Sequence, residues 1–118
     1  MDIIATNNPL AEAEFRDRFE VGFYEDSADV LTFARDLVHA GHILLTHPLP
    51  GSVKPNETPY RTILISGSGG KVDGPSLRMI EECIRLTRDF PPCGAPGRHE
   101  ADLQMVDLSL IISALEGR

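Results

Sequence analysis

Fifteen consecutive residues, Thr46 to Tyr60, carry most of the side chains whose chemistry suits recognition or catalysis; they read THPLPGSVKPNETPY. Ser52 and Thr58 offer hydroxyls, Lys54 an ammonium, Asn56 an amide and Tyr60 a phenol, a set that can hold a carboxylate or phosphate. Asn7 and Asn8, in Thr6-Asn7-Asn8-Pro9, are further candidates, because they follow a short apolar run. The plain alternative is that all of these are solvated loop side chains and turn formers. His47 is the one candidate catalytic residue, since an unperturbed imidazole near pKa ~6.5 can act as acid or base. Its plain alternative is a structural histidine bonded to the loop backbone. Glu57 could partner it, but spacing alone cannot bring the two together. The segment has four prolines and one glycine. It cannot be regular helix or central strand, and its prolines lower the entropy cost of ordering it.

Other constellations are weaker. Gly67-Ser68-Gly69-Gly70-Lys71 fails the GxxxxGK[ST] pattern, because Val72 follows Lys71, and it fails GxGxxG; a flexible turn is the better reading. His39, His42 and His47 straddle a helix end and a strand, and no Cys or carboxylate completes a ligand pattern, so no metal is expected. No cofactor is implied. Cys83 reads as a core thiol, whereas Cys93 lies in a Pro/Gly loop. A spacing of ten is no CxxC motif, and no GxSxG elbow appears.

Composition narrows the classes of function. The 118 residues are 42% hydrophobic and 25% charged, an ordinary balance for one globular domain spanning 1–118. Eleven Lys and Arg stand against 18 Asp and Glu, a net charge of −7. Nucleic-acid binding and adhesion to an anionic membrane are therefore not expected. The start, Met1-Asp2-Ile3-Ile4, does not read as a signal peptide, and no apolar run reaches the ~20 residues that span a bilayer. The expected location is the cytoplasm, with both cysteines as thiols.

The elements that must position these residues follow from periodicity. Ile3 to Thr6 reads as a buried strand, and Leu10 to Arg18 as a short helix after Pro9. Phe19 to Tyr24 reads as a second strand. A helix capped at Asp26 or Ser27 follows, with Val30, Phe33, Ala34, Leu37 and Val38 on one stripe and Gly41 as its stop. His42 to Thr46 reads as a third strand and Arg61 to Ser66 as a fourth. Asp73 and Pro75 open a helix bearing Leu77, Ile80, Ile84 and Thr87 on one side. Leu103 to Leu115 reads as a helix, with Leu103 to Val106 as an alternative strand. It is apolar on more than one side, and a homo-oligomer through it is expected. This order predicts an α/β domain of three layers, Rossmann-like, with a mostly parallel sheet of four to five strands flanked by helices. The fourth strand is the exception: no helical pattern precedes it, which leaves an antiparallel entry open, and that entry would bring Tyr60 and Arg61 to the edge that carries Asn7. Ligands of such sheets bind beyond the carboxyl ends of the strands.

The strings TNNP and LLTHPLPGSVKPNETPYRTILIS together resemble the GrdX family, small proteins associated with the glycine, sarcosine and betaine reductase system of amino-acid-fermenting anaerobes. The matching positions are Asn7, Asn8, Pro9, His47, Pro48, Gly51, Ser52, Lys54, Pro55, Asn56, Thr58, Pro59 and Tyr60. The resemblance implies an accessory role beside a selenium- and thiol-dependent system that yields acetyl phosphate and ammonia. It carries no catalytic residues and lends no support to Cys93. Two functions are thus expected: capture of glycine reductase components or a small anionic ligand by the 46–60 loop, or an enzyme acting on a small anionic metabolite with His47 as acid or base and Lys54 as charge clamp.

Overall fold

The computed structural model describes residues 1–48, 59–89 and 100–117. Its centre is a three-stranded mixed sheet of order β2-β1-β3, formed by β1 (Ile3–Thr6), β2 (Glu20–Phe23) and β3 (Thr62–Ile65). Four helices of the described residues pack with it: α1 (Pro9–Phe15), α2 (Ser27–His39), α3 (Gly74–Asp89) and α4 (Glu100–Glu116). The β1-α1-β2 crossover makes the first pair parallel, with Ile3 opposite Glu20. β3 runs antiparallel to β1, with Ile3 opposite Ile65 and Thr6 opposite Thr62.

Side-chain alternation assigns the two faces of the sheet. Ile3, Ala5, Ile63 and Ile65 pack with Val30, Leu31, Ala34 and Val38 of α2 and with Ile80 and Cys83 of α3. Ile4 and Leu64 face the other way, onto Ala11 and Phe15 of α1 and Ile111 of α4. Both β1 and β3 are buried along their whole length, which explains their continuous apolar runs.

The expectation of a Rossmann-like, mostly parallel sheet of four to five strands is overturned. Only one of the two strand pairs is parallel, and three strands are present among the described residues. The discrepancy arises at residues 42–46, which form a single antiparallel bridge, Leu44 to Ile65, instead of a strand. The cause is local. Leu64 N donates to the Thr46 hydroxyl at 3.0 Å, so a side chain takes the place of a ladder carbonyl. Leu45 N and Thr46 N then share the one Leu64 carbonyl at 2.9 and 3.3 Å, and Leu44 N turns away to the Ser76 hydroxyl at 3.0 Å. The alternative strand over residues 103–106 lies within helix α4.

Helix termini follow their capping residues. Asn8 caps α1 with Pro9 at its first position, and Asp26 caps α2. Gly41 ends α2 at φ 99°, where a Cβ would meet the Gly70 carbonyl oxygen. Asp73 accepts from Ser76 N at 3.0 Å and from the Ser76 hydroxyl at 2.7 Å as α3 begins. No helix of the described residues is long and apolar enough to cross a membrane.

Candidate functional site

The carboxyl end of β1 meets the amino end of β3, because Thr6 pairs with Thr62. The antiparallel entry of β3 therefore sets Tyr60 and Arg61 beside Asn7. Asn7 acts as a clamp on that incoming chain: its Oδ1 accepts from Arg61 N at 2.8 Å and its Nδ2 donates to the Pro59 carbonyl at 2.6 Å. Its backbone N–H adds a bond to the Arg61 carbonyl at 3.3 Å.

Asn8 is fully buried and joins α1 to α4. Its Oδ1 accepts from Leu10 N at 3.0 Å, while its Nδ2 donates to the Gln104 carbonyl and to Asp107 Oδ2, both at 2.9 Å. Tyr60 is also buried; its hydroxyl donates to Glu100 at 2.7 Å and accepts from Gln104 Nε2 at 2.9 Å. Burial first, and the Glu100 carboxylate second, push that phenol's pKa above its ordinary value. Asn7, Asn8 and Tyr60 thus cluster as anticipated, but their polar groups are engaged with protein. Ser52, Lys54, Asn56 and Thr58, together with Glu57 and Cys93, lie outside the described residues.

His47 is exposed and lines a cavity of about 320 Å³ between the 45–47 segment and α4. Thr46, Thr62 and Asp107 supply the other polar lining, and Leu45, Leu110, Ile111 and Ala114 the apolar lining. Asp107 is 5% exposed. Its Oδ2 receives the Thr62 hydroxyl at 2.6 Å and Asn8 Nδ2 at 2.9 Å. The Thr62 hydroxyl lies 2.7 Å from that of Thr6, which also receives Asn8 N at 3.0 Å. Burial pushes the Asp107 carboxyl above the ordinary range, against the pull of the Thr62 and Asn8 hydrogen bonds and the Arg61 charge.

Arg61 is 5% exposed, and no carboxylate of the described residues forms an ion pair with it. Its Nε donates to the Ser27 hydroxyl at 3.0 Å, and Nη1 donates to the Pro48 carbonyl at 2.8 Å and reaches Cys83 Sγ at 3.8 Å. Burial lowers its pKa, while Cys83 and Asp107 oppose that shift. Cys83 is buried in the α3 face of the core, and burial raises its thiol pKa. Among the described residues, no three His, Cys, Asp or Glu side chains converge as metal ligands. His39 instead approaches Glu81 at 3.4 Å, and His42 Nδ1 lies 2.7 Å from the Ser66 carbonyl.

Reading the sequence by motif missed Asp107 and Thr62, and gave Thr46 and Arg61 no role of their own. Asp107 did leave a signal: it is a lone carboxylate four residues from both Leu103 and Ile111 in an otherwise apolar stretch, so it shares their helix face. Arg61 sits directly before the apolar run of β3, where a charged side chain must find a buried partner or leave the sheet.

No curated protein and no solved structure matches the chain. One family model does, that of the GrdX-like protein, and it spans nearly the whole length. On that match over residues 3–116, the chain belongs to the GrdX-like protein family.

Proposed function

We propose that this protein is an accessory component of the glycine reductase system and that it captures a partner, or a small anionic ligand, through the 46–60 segment. The family match supports the link to that system. The observation that carries the reading is how both ends of the segment are held. Arg61 binds the Pro48 carbonyl at the entry, and Asn7 binds the Pro59 carbonyl at the exit, each from a buried side chain. A segment anchored at both ends to the sheet loses less entropy on engaging a partner than a free one.

Purified reductase components captured on immobilised protein test this reading, with Lys54→Met as the comparison. The substitution keeps the apolar stem and removes the charge. Weaker capture by the variant, with an unchanged melting temperature, supports partner recognition. If sulfate or phosphate raises the wild-type melting temperature and the variant loses that gain, the anionic ligand is favoured. Unaltered capture and unaltered anion response together defeat both forms of the proposal.

A second reading, an enzyme for a small anionic metabolite with His47 as acid or base and Lys54 as clamp, is favoured by one observation: His47 and Asp107 line the same cavity. Homo-oligomerisation through residues 103–115 is a further proposal, supported by Met105 and Val106, each 54% exposed on α4. Light scattering that gives the monomer mass at high micromolar concentration would exclude it.

A further inference from the structure

We propose that the cavity beneath α4 is a binding site for a small organic molecule carrying an N–H donor, an alkylammonium above all, on a short branched apolar body, with Asp107 Oδ1 as its acceptor. This site does not rest on partner capture by the 46–60 segment.

The two oxygens of Asp107 are unequal. Oδ2 is occupied by Thr62 and Asn8, whereas Oδ1 takes no hydrogen bond from the described residues. No buried side-chain oxygen or nitrogen of the described residues lacks a partner. Oδ1 is therefore not sealed in protein, and the cavity that Asp107 lines is where we infer that it opens. An acceptor held in an otherwise buried carboxyl gains strongly from a donor, and most from a charged one.

Apart from His47 and Thr46, which also line the cavity, the remaining lining fits the same ligand. The Thr62 proton is spent on Asp107, so that hydroxyl offers an anion little. Arg61, the nearby guanidinium, directs its described bonds to Ser27, Pro48 and Cys83. Leu45, Leu110, Ile111 and Ala114 form a wall for an aliphatic body. A volume of about 320 Å³ is at the small end of ligand pockets. The chain's net charge of −7 raises the local concentration of cations and lowers that of anions.

Three probes of matched shape separate the chemistries: isobutylammonium, isobutanol and isobutyrate, titrated into the full chain and followed by two-dimensional amide NMR. Isobutylammonium is expected to bind saturably at one site, with shifts centred on Thr62, Leu110, Ile111 and Ala114. Isobutanol should bind at least roughly tenfold more weakly, in keeping with a charge-assisted hydrogen bond, and isobutyrate should give no saturable shift. Asp107→Asn should weaken isobutylammonium by a similar factor. Ala114→Phe, at an exposed helix position, fills the cavity without touching the polar network and should abolish binding with the melting curve unchanged. The second variant keeps the test decisive if the first does not fold. Equal binding of all three probes, tighter binding of isobutyrate, or isobutylammonium shifts that survive Ala114→Phe would each overturn the proposal.

Discussion

Replacing Asn8 by alanine tests the polar tie between the two ends of the chain. Asn8 is fully buried and makes three side-chain bonds: the α1 cap at Leu10 N, and two donations to α4 at Gln104 and Asp107. Loss of an N-cap costs about 1 kcal/mol. Each lost donation costs about 1 kcal/mol, and more where the acceptor is a buried carboxyl. N8A should therefore lose about 3–4 kcal/mol, a large share of the roughly 5–15 kcal/mol that holds an ordinary domain together. Urea denaturation followed by circular dichroism reads this as a lower midpoint at constant slope. N8S separates the contributions, since serine caps as well as asparagine but cannot reach α4. It should lose about 2 kcal/mol, the share of the two donations. N8S as stable as wild type, or N8A within 1 kcal/mol of it, would show that the α1–α4 tie contributes nothing and would refute the reasoning.

Three further outcomes follow from the same geometry. The Asp107 carboxyl is raised by burial, so the folded state keeps its proton at pH values where the unfolded chain, near pKa ~3.9, has lost it. This contribution to stability is present at low pH and is lost as pH rises through the folded pKa; the stability of D107N relative to wild type should therefore climb with pH, and parallel pH–stability curves would contradict it. Gly41→Ala should cost more than about 1 kcal/mol, because φ is 99° and the added Cβ collides with Gly70 backbone; a wild-type midpoint in urea would count against it. Cys83, buried with a raised thiol pKa, should be alkylated only on unfolding, and peptide mapping that finds it labelled in the native protein would show the α3 face to be open.

Much of the fold was legible because it rests on local signals. The run Ile3–Thr6, a helix start at Pro9, a cap at Asp26 or Ser27 and the Gly41 stop all use short-range chemistry; the strand and the stop stand where the pattern placed them, the cap is Asp26, and α1 spans Pro9–Phe15 rather than Leu10 to Arg18. The missing strand at 42–46 was not legible, because apolar periodicity does not reveal that the Thr46 side chain would take a ladder hydrogen bond. The mostly parallel sheet failed for a related reason. β3 pairs with β1 antiparallel, with its entry at residues 59–61 held by Asn7, and these bonds between distant residues leave no periodic trace in the sequence. At the site, sequence singled out Asn7, Asn8 and Tyr60 as polar groups near a strand end, but gave them to a ligand. Their side chains bond within the protein, to Pro59, Arg61, Glu100, Gln104 and Asp107. Asp107 left a signal as the lone carboxylate of the apolar stretch 103–115, but no motif singles it out.

The tie between Asn8 and Asp107 spans 99 positions of sequence, and this bears on how the chain matures during synthesis. The β1-α1-β2 unit has left the ribosome long before residue 107 is made. Until then the α1–α4 face of the sheet, with Ile4, Phe15 and Leu64, has no cover from α4, and the Asn8 amide has water as its partner. Contacts of such long separation close last and slow folding, and uncovered apolar surface is where nascent chains aggregate. The nascent protein is thus most in need of chaperone protection in the interval before α4 emerges, and a pause in translation just upstream of Glu100 would lengthen that exposure.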